Sequence, residues 1–130
     1  MIRRFTNLFS IAMTLNSNSR IVKHWMKQAN QLDKPDCDKQ LQFLEEEFYE
    51  VMHAWKSETR PEVIKELCDL IWVAYGMLHT LEVDPDVAFD RIAASNYSKL
   101  PFKLIDGKVQ KGPNYEKPKL IDRDWETSSV

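Results

Sequence analysis

Four acidic residues set inside two apolar helical patterns constrain this chain more than any other feature. The first pattern reads Leu44-Glu45-Glu46-Glu47-Phe48-Tyr49-Glu50-Val51, the second Glu66-Leu67-Cys68-Asp69-Leu70-Ile71-Trp72. At about 100° per residue, Glu47 and Glu50 share one helix face, and Glu66 and Asp69 share one on the next helix. If the two helices pack antiparallel, four carboxylates converge. The segment from Leu67 to Leu81 is apolar nearly all the way round, which predicts a buried helix. An ionised Asp69 left there without a partner would cost several kcal/mol. No Lys or Arg lies between Glu66 and Leu81 to pair with it. A shared divalent cation would neutralise the acids together, and oxygen-only ligands select a hard ion, Mg²⁺ or Mn²⁺, over zinc.

A chain of 130 residues makes one domain with a core of ordinary size. With 18 basic and 20 acidic residues, bulk charge gives no ground for a nucleic-acid polymer or a membrane as partner. Three glycines speak against a loop-rich or all-β fold, and two cysteines, Cys37 and Cys68, lack metal-type spacing and read as reduced thiols. The arginines and short apolar run before Met13 resemble a signal peptide, yet no small-residue cleavage site follows. Residues 1–17 are therefore expected to be an extension, with Met13 a candidate original start, and the protein to be cytoplasmic. The apolar run around Leu70 to Leu78 is too short for a bilayer, which needs roughly 20 residues.

Along the chain, N-cap candidates from Asn16 to Ser19 open a first helix with Ile21, Trp25, Ala29 and Leu32 at helical spacing, ending before Pro35. Asp36 or Asp38 caps a second, whose Leu41, Leu44, Phe48, Val51 and Trp55 form a heptad-like stripe. Thr59 and Glu62 have capping-box spacing, with Pro61 in the first turn of a third helix that runs to about Leu81. Asp84-Pro85-Asp86 starts a fourth, which runs towards Asn96 and Lys99. Asp106-Gly107 then predicts a type I′ hairpin between Leu104-Ile105 and Lys108-Val109. The stretch Lys111-Gly112-Pro113-Asn114-Tyr115 continues into a polar tail that is expected to be loosely ordered. From Lys99 to Lys119 six lysines stand against Asp106 and Glu116, a basic arm suited to phosphate oxygens while the acids hold a cation.

These residues resemble the MazG-like, all-α nucleoside triphosphate pyrophosphohydrolases, whose pattern EExxE then ExxD is met by Glu46-Glu47-x-x-Glu50 and Glu66-x-x-Asp69. Ser95-Asn96-Tyr97-Ser98-Lys99 is similar to the family's SNMSK segment, with Tyr in place of Met. The stretch from Asp106 to Tyr115 is similar to its DGKVxKGPNY tail. The likeness spans roughly residues 18 to 118, leaving 1–17 and 119–130 as extension and tail. It implies an all-α, four-helix bundle with a short C-terminal β-hairpin and a basic tail. It also implies hydrolysis of a nucleoside triphosphate between the α and β phosphates, and assembly as a homodimer or homotetramer.

On that footing Glu47, Glu50, Glu66 and Asp69 are the expected Mg²⁺ ligands. A magnesium ion there can bridge phosphate oxygens and acidify a bound water. Glu46 and Glu50 are the expected catalytic carboxylates, Glu46 orienting or deprotonating the water, or supporting the ligands from behind. Asn96, Lys99 and Lys111 are expected at sugar and phosphate; Trp25 and Gln28, with His24, are candidates for reading the base. Two other classes compete. A di-metal carboxylate bundle needs Glu-x-x-His motifs, and only Glu50 to His53 supplies one. A non-catalytic helical interaction module would use the acids to shape an interface. Trp55 and Trp72 are expected in the core, as is Trp25 if it does not stack on a base.

Overall fold

The structure is a computed structural model, and it describes residues 15–120. Met13 and nearly all of the expected extension and tail lie outside those residues. The chain divides between Glu82 and Val83 into two compact units.

Among the described residues the first unit holds three helices. α1, Asn18–Gln28, starts where the Ser17 hydroxyl accepts the Arg20 N–H at 3.1 Å, and it buries Ser19, Val22 and Met26. It ends earlier than the apolar spacing predicts. Asn30 takes φ 57°, the Gln31 N–H bonds to the Met26 carbonyl, and the Asn30 N–H bonds to that of Lys27. This is a Schellman cap, which the short polar Asn side chain tolerates in the left-handed region. Ala29 is thus the cap and Leu32 falls outside the helix.

α2, Cys37–Ser57, is capped by Asp36, whose carboxylate accepts the Lys39 N–H at 3.0 Å. α3 is Arg60–Thr80; Thr59 is its N-cap, but its side chain makes no capping bond, so the expected capping box does not close. Pro61 has no N–H and removes one of the two donors such a cap can take. Extended Glu58 and Thr59 alone link α2 to α3, which folds the pair into an antiparallel hairpin. α1 packs on α3. Gly76 permits the close fit: a Cβ there would lie 3.1 Å from Gln40 Oε1 and 3.5 Å from Met26 Sδ.

The interior contains Val22, Met26 and Ala54, and it does not swallow α3. Leu67, Ile71 and Leu81 are exposed, as are Leu41, Phe48 and Trp55 of the α2 stripe, Trp55 at 77%. The expectations of a buried third helix and of Trp55 in the core therefore fail. Apolar periodicity records which faces need cover without recording what covers them.

The second unit begins with α4, Pro85–Tyr97, capped by Asp84, whose carboxylate accepts the Asp86 N–H at 2.9 Å. β1, Leu104–Ile105, pairs antiparallel with β2, Lys108–Val109, in the register Leu104 to Val109. Asp106 at φ 51° and Gly107 at φ 75° make the expected type I′ turn. The tail that follows Tyr115 is not loose over its described residues, 116–120. Ser95 Oγ donates to the Glu116 carbonyl at 2.8 Å, Ser98 Oγ accepts the Glu116 N–H at 2.9 Å, and Arg91 donates to the Lys119 carbonyl at 2.6 Å. Polarity alone predicted disorder because it does not reveal these backbone partners. The described residues thus give an all-α protein of four helices with a small C-terminal hairpin. None of these helices is long and apolar enough to cross a membrane.

Candidate functional site

The α2–α3 hairpin brings the acids together. Glu47, Glu66 and Asp69 each present an oxygen, and the three oxygens lie within 4.8 Å of one another. The helical face that carries Glu47 meets the one that carries Glu66 and Asp69 because the hairpin is antiparallel. Glu47 Oε2 and Glu66 Oε2 are buried without a hydrogen-bond partner. Buried oxygens of this kind are costly unless something positive reaches them. Three carboxylates with two orphaned oxygens form an all-oxygen donor set, and that set fits a hard divalent ion.

The electrostatics match the crowding. Burial pushes the Glu47 carboxyl from 4.5 up to about 7, and the charges of Glu50, Asp69 and Glu66 add to the rise. Glu50 is raised chiefly by the Glu66 carboxyl beside it, through hydrogen bonding and charge. It lies outside the group of three but within its field. Glu66 moves the other way, held low first by Lys65.

Lys65 is the residue that spacing missed. Its ammonium donates to Glu66 Oε1 at 3.1 Å and to Asp69 Oδ2 at 3.0 Å. The lysine lies immediately before Glu66, just outside the stretch from Glu66 to Leu81 that holds no Lys or Arg. The Asp69 side chain also keeps 42% of its surface exposed, against 12% for Glu66, so deep burial of Asp69 is not what makes the cluster costly. That role falls to Glu47 and Glu66. The i to i+4 spacing of Lys65 and Asp69 was the available signal.

Glu46 is exposed on α2 and outside the group of three. His53, which meets the Glu-x-x-His spacing, is also exposed, with Nε2 3.8 Å from the Glu58 carboxylate. Trp25 packs edge-on against Trp72, centroids 5.6 Å apart. A cavity of about 230 Å³ lies between the three helices, lined by Trp25, Phe43, Trp72, Gln31 and Gln40 among others. Gln40 and Phe43 stand seven and four residues before Glu47, and Val73 and Gly76, also in the lining, stand four and seven after Asp69. The cavity therefore continues the seam that carries the acids. Gln28 is exposed at the end of α1 and is not in this lining; Gln31 and Gln40 supply the amides instead.

Asn96, Lys99 and Lys111 belong to the second unit. Asn96 and Lys99 line a cavity of about 310 Å³ with Tyr97, Leu100, Phe102 and Val109. The Lys111 ammonium sits 4.6 Å above the Tyr115 ring. The segments 95–99 and 106–115 are joined by the serine bonds to Glu116 and by Gly112. A Cβ on Gly112 would strike the carbonyl oxygens of Lys99 and Pro101.

Compared with known proteins, the chain matches the family model described as phosphoribosyl-ATP pyrophosphohydrolase over residues 9–96. No curated protein and no solved structure matches it.

Proposed function

Because the chain belongs to the phosphoribosyl-ATP pyrophosphohydrolase family, within the MazG-like superfamily, and so is a pyrophosphohydrolase of a nucleotide phosphoanhydride, we propose a specific reaction. It hydrolyses a (deoxy)nucleoside triphosphate between the α and β phosphates, releasing the monophosphate and pyrophosphate in a Mg²⁺-dependent step. The observation that carries this is the meeting of Glu47, Glu66 and Asp69 with two orphaned buried oxygens among them. Phosphoribosyl-ATP, after which the family is named, is the competing substrate. The likeness of residues 95–115 to the triphosphate-hydrolysing members favours the simpler nucleotide.

In this reaction Glu47, Glu66 and Asp69 hold the ion, with Glu50 completing the set. When bound, the ion supplies charge to the phosphate oxygens and activates water. Glu50 also stands one helical turn after Glu46, and the two are the proposed proton-handling groups. Glu46 acts from the outer side of α2. Trp25 borders the cavity proposed for the base, Gln40 and Gln31 are placed to read its edge, and Gln28 stays at the margin. Asn96, Lys99 and Lys111 meet sugar and phosphate. Residues 18–118 form the catalytic domain of a cytoplasmic homodimer or homotetramer.

A panel of canonical and modified triphosphates plus phosphoribosyl-ATP, each with Mg²⁺ and with Mn²⁺, tests the reaction by pyrophosphate release. No release from any triphosphate overturns it, and release from phosphoribosyl-ATP alone reassigns the substrate. Lys99→Ala is expected to lower kcat/KM by the equivalent of about 1.5–3 kcal/mol; an unchanged value removes Lys99 from the phosphate site.

A further inference from the structure

Lys65 holds one oxygen on each of two carboxylates of the acid cluster. Its ammonium bridges Glu66 Oε1 and Asp69 Oδ2, from one residue before the first and one turn before the second. Lys65 is itself on the surface, its side chain 59% exposed. The bridge is therefore a solvent-facing clasp on the acid cluster, while Glu47 Oε2 and Glu66 Oε2 are buried without a hydrogen-bond partner. Helix energetics do not explain it, since a basic residue N-terminal to its acidic partner is the less favoured order along a helix. Exposed ion pairs are also weak and screened by salt. A weak clasp suits a competitor that has to yield.

We propose that Lys65 is a built-in counter-cation that holds Glu66 and Asp69 in position in the metal-free protein and competes with the divalent ion for the same two carboxylates. Lys65 is thus a positioning residue that sets metal affinity. The inference rests on the metal-dependent reaction proposed above. Metal uptake moves the ammonium off both carboxylates, and the released charge remains at the mouth of the site. Loss of the lysine removes both the competition and the repulsion of the incoming cation. Two charges on the ion and one on the lysine, roughly 5 Å apart in water, repel by enough to change affinity about tenfold.

The test is calorimetric titration of the full chain with MgCl₂ and with MnCl₂, without nucleotide, for wild type, Lys65→Gln and Lys65→Arg. Lys65→Gln is expected to bind each ion about tenfold more tightly, and Lys65→Arg to stay near wild type because the charge is kept. In the wild type, the Lys65 side-chain ammonium resonance is expected to shift on saturation with Mg²⁺, which a lysine of purely structural role would not show. Equal or weaker binding by Lys65→Gln overturns the proposal and leaves the metal site standing. Absence of binding in wild type and variant alike overturns the metal site, and the proposal with it.

Discussion

Among the acids of the site, Glu47 has its pKa raised by burial and by its acidic neighbours. With its carboxyl raised from 4.5 to about 7, the folded metal-free protein holds that proton more tightly than the unfolded chain. The resulting stabilisation is complete below the ordinary value of 4.5, fades as pH rises, and is gone above about 7. Glu50, also raised, acts in the same direction. Glu66, lowered, contributes stability that is lost only in acid, below the ordinary range, so it does not mask the trend. Calorimetric melting in chelator should therefore show Tm falling between about pH 4.5 and about pH 7. Glu47→Gln should flatten that slope; an equally steep slope in the variant would place the titration elsewhere. With Mg²⁺ and substrate, Glu47→Gln and Asp69→Asn are each expected to abolish turnover while the circular dichroism spectrum stays native. Each removes a ligand charge at constant volume. Wild-type rates in either variant would take that residue out of the metal site.

At the level of elements, the caps separate two threonine-or-aspartate starts that look alike in sequence. The Asp36 carboxylate accepts a backbone N–H at 3.0 Å, whereas the Thr59 side chain makes no capping bond. Asp36→Ala should accordingly cost about 1 kcal/mol in urea denaturation, and Thr59→Ala close to nothing. Equal losses would show that Thr59 caps after all. The same reasoning applies to the tail, where a methyl group on Gly112 would meet the carbonyls of Lys99 and Pro101. Gly112→Ala should destabilise the hairpin and tail by about 1–3 kcal/mol, visible as faster amide exchange at Glu116. The helices themselves were legible because their apolar spacing and caps are local. α1's early end was not, since Asn30 marks it only through its left-handed backbone. The tail's order was hidden too, because it depends on Ser95 and Ser98 lying many residues upstream of Glu116.

For the whole molecule, the exposed apolar side chains carry most weight. Phe48 and Trp55 on α2, and Ile64, Leu67 and Ile71 on α3, lie open to solvent in the single chain. Large exposed apolar patches on a soluble protein mark contact surfaces, and a stable one covers about 800 Å² per partner. A second copy of the chain is the occupant proposed. Sedimentation should give a dimer or tetramer, and Phe48→Glu combined with Trp55→Glu should give a monomer. A monomeric wild type would leave the patch to a different protein.

The sequence by itself determined the four helices, the Asp-Gly hairpin and the spacing that puts Glu47 with Glu50, and Glu66 with Asp69, on one face of their respective helices. Periodicity, capping and turn chemistry act within a few residues, and so does the acid spacing. Only the tertiary structure decided that Glu47 and Glu66 carry the orphaned oxygens. It also decided that Gln40, with Gln31, lines the cavity while Gln28 does not. Each of these depends on which side of α2 meets which side of α3 and on where α1 stops. A one-turn slip would change all of them without altering a single local pattern.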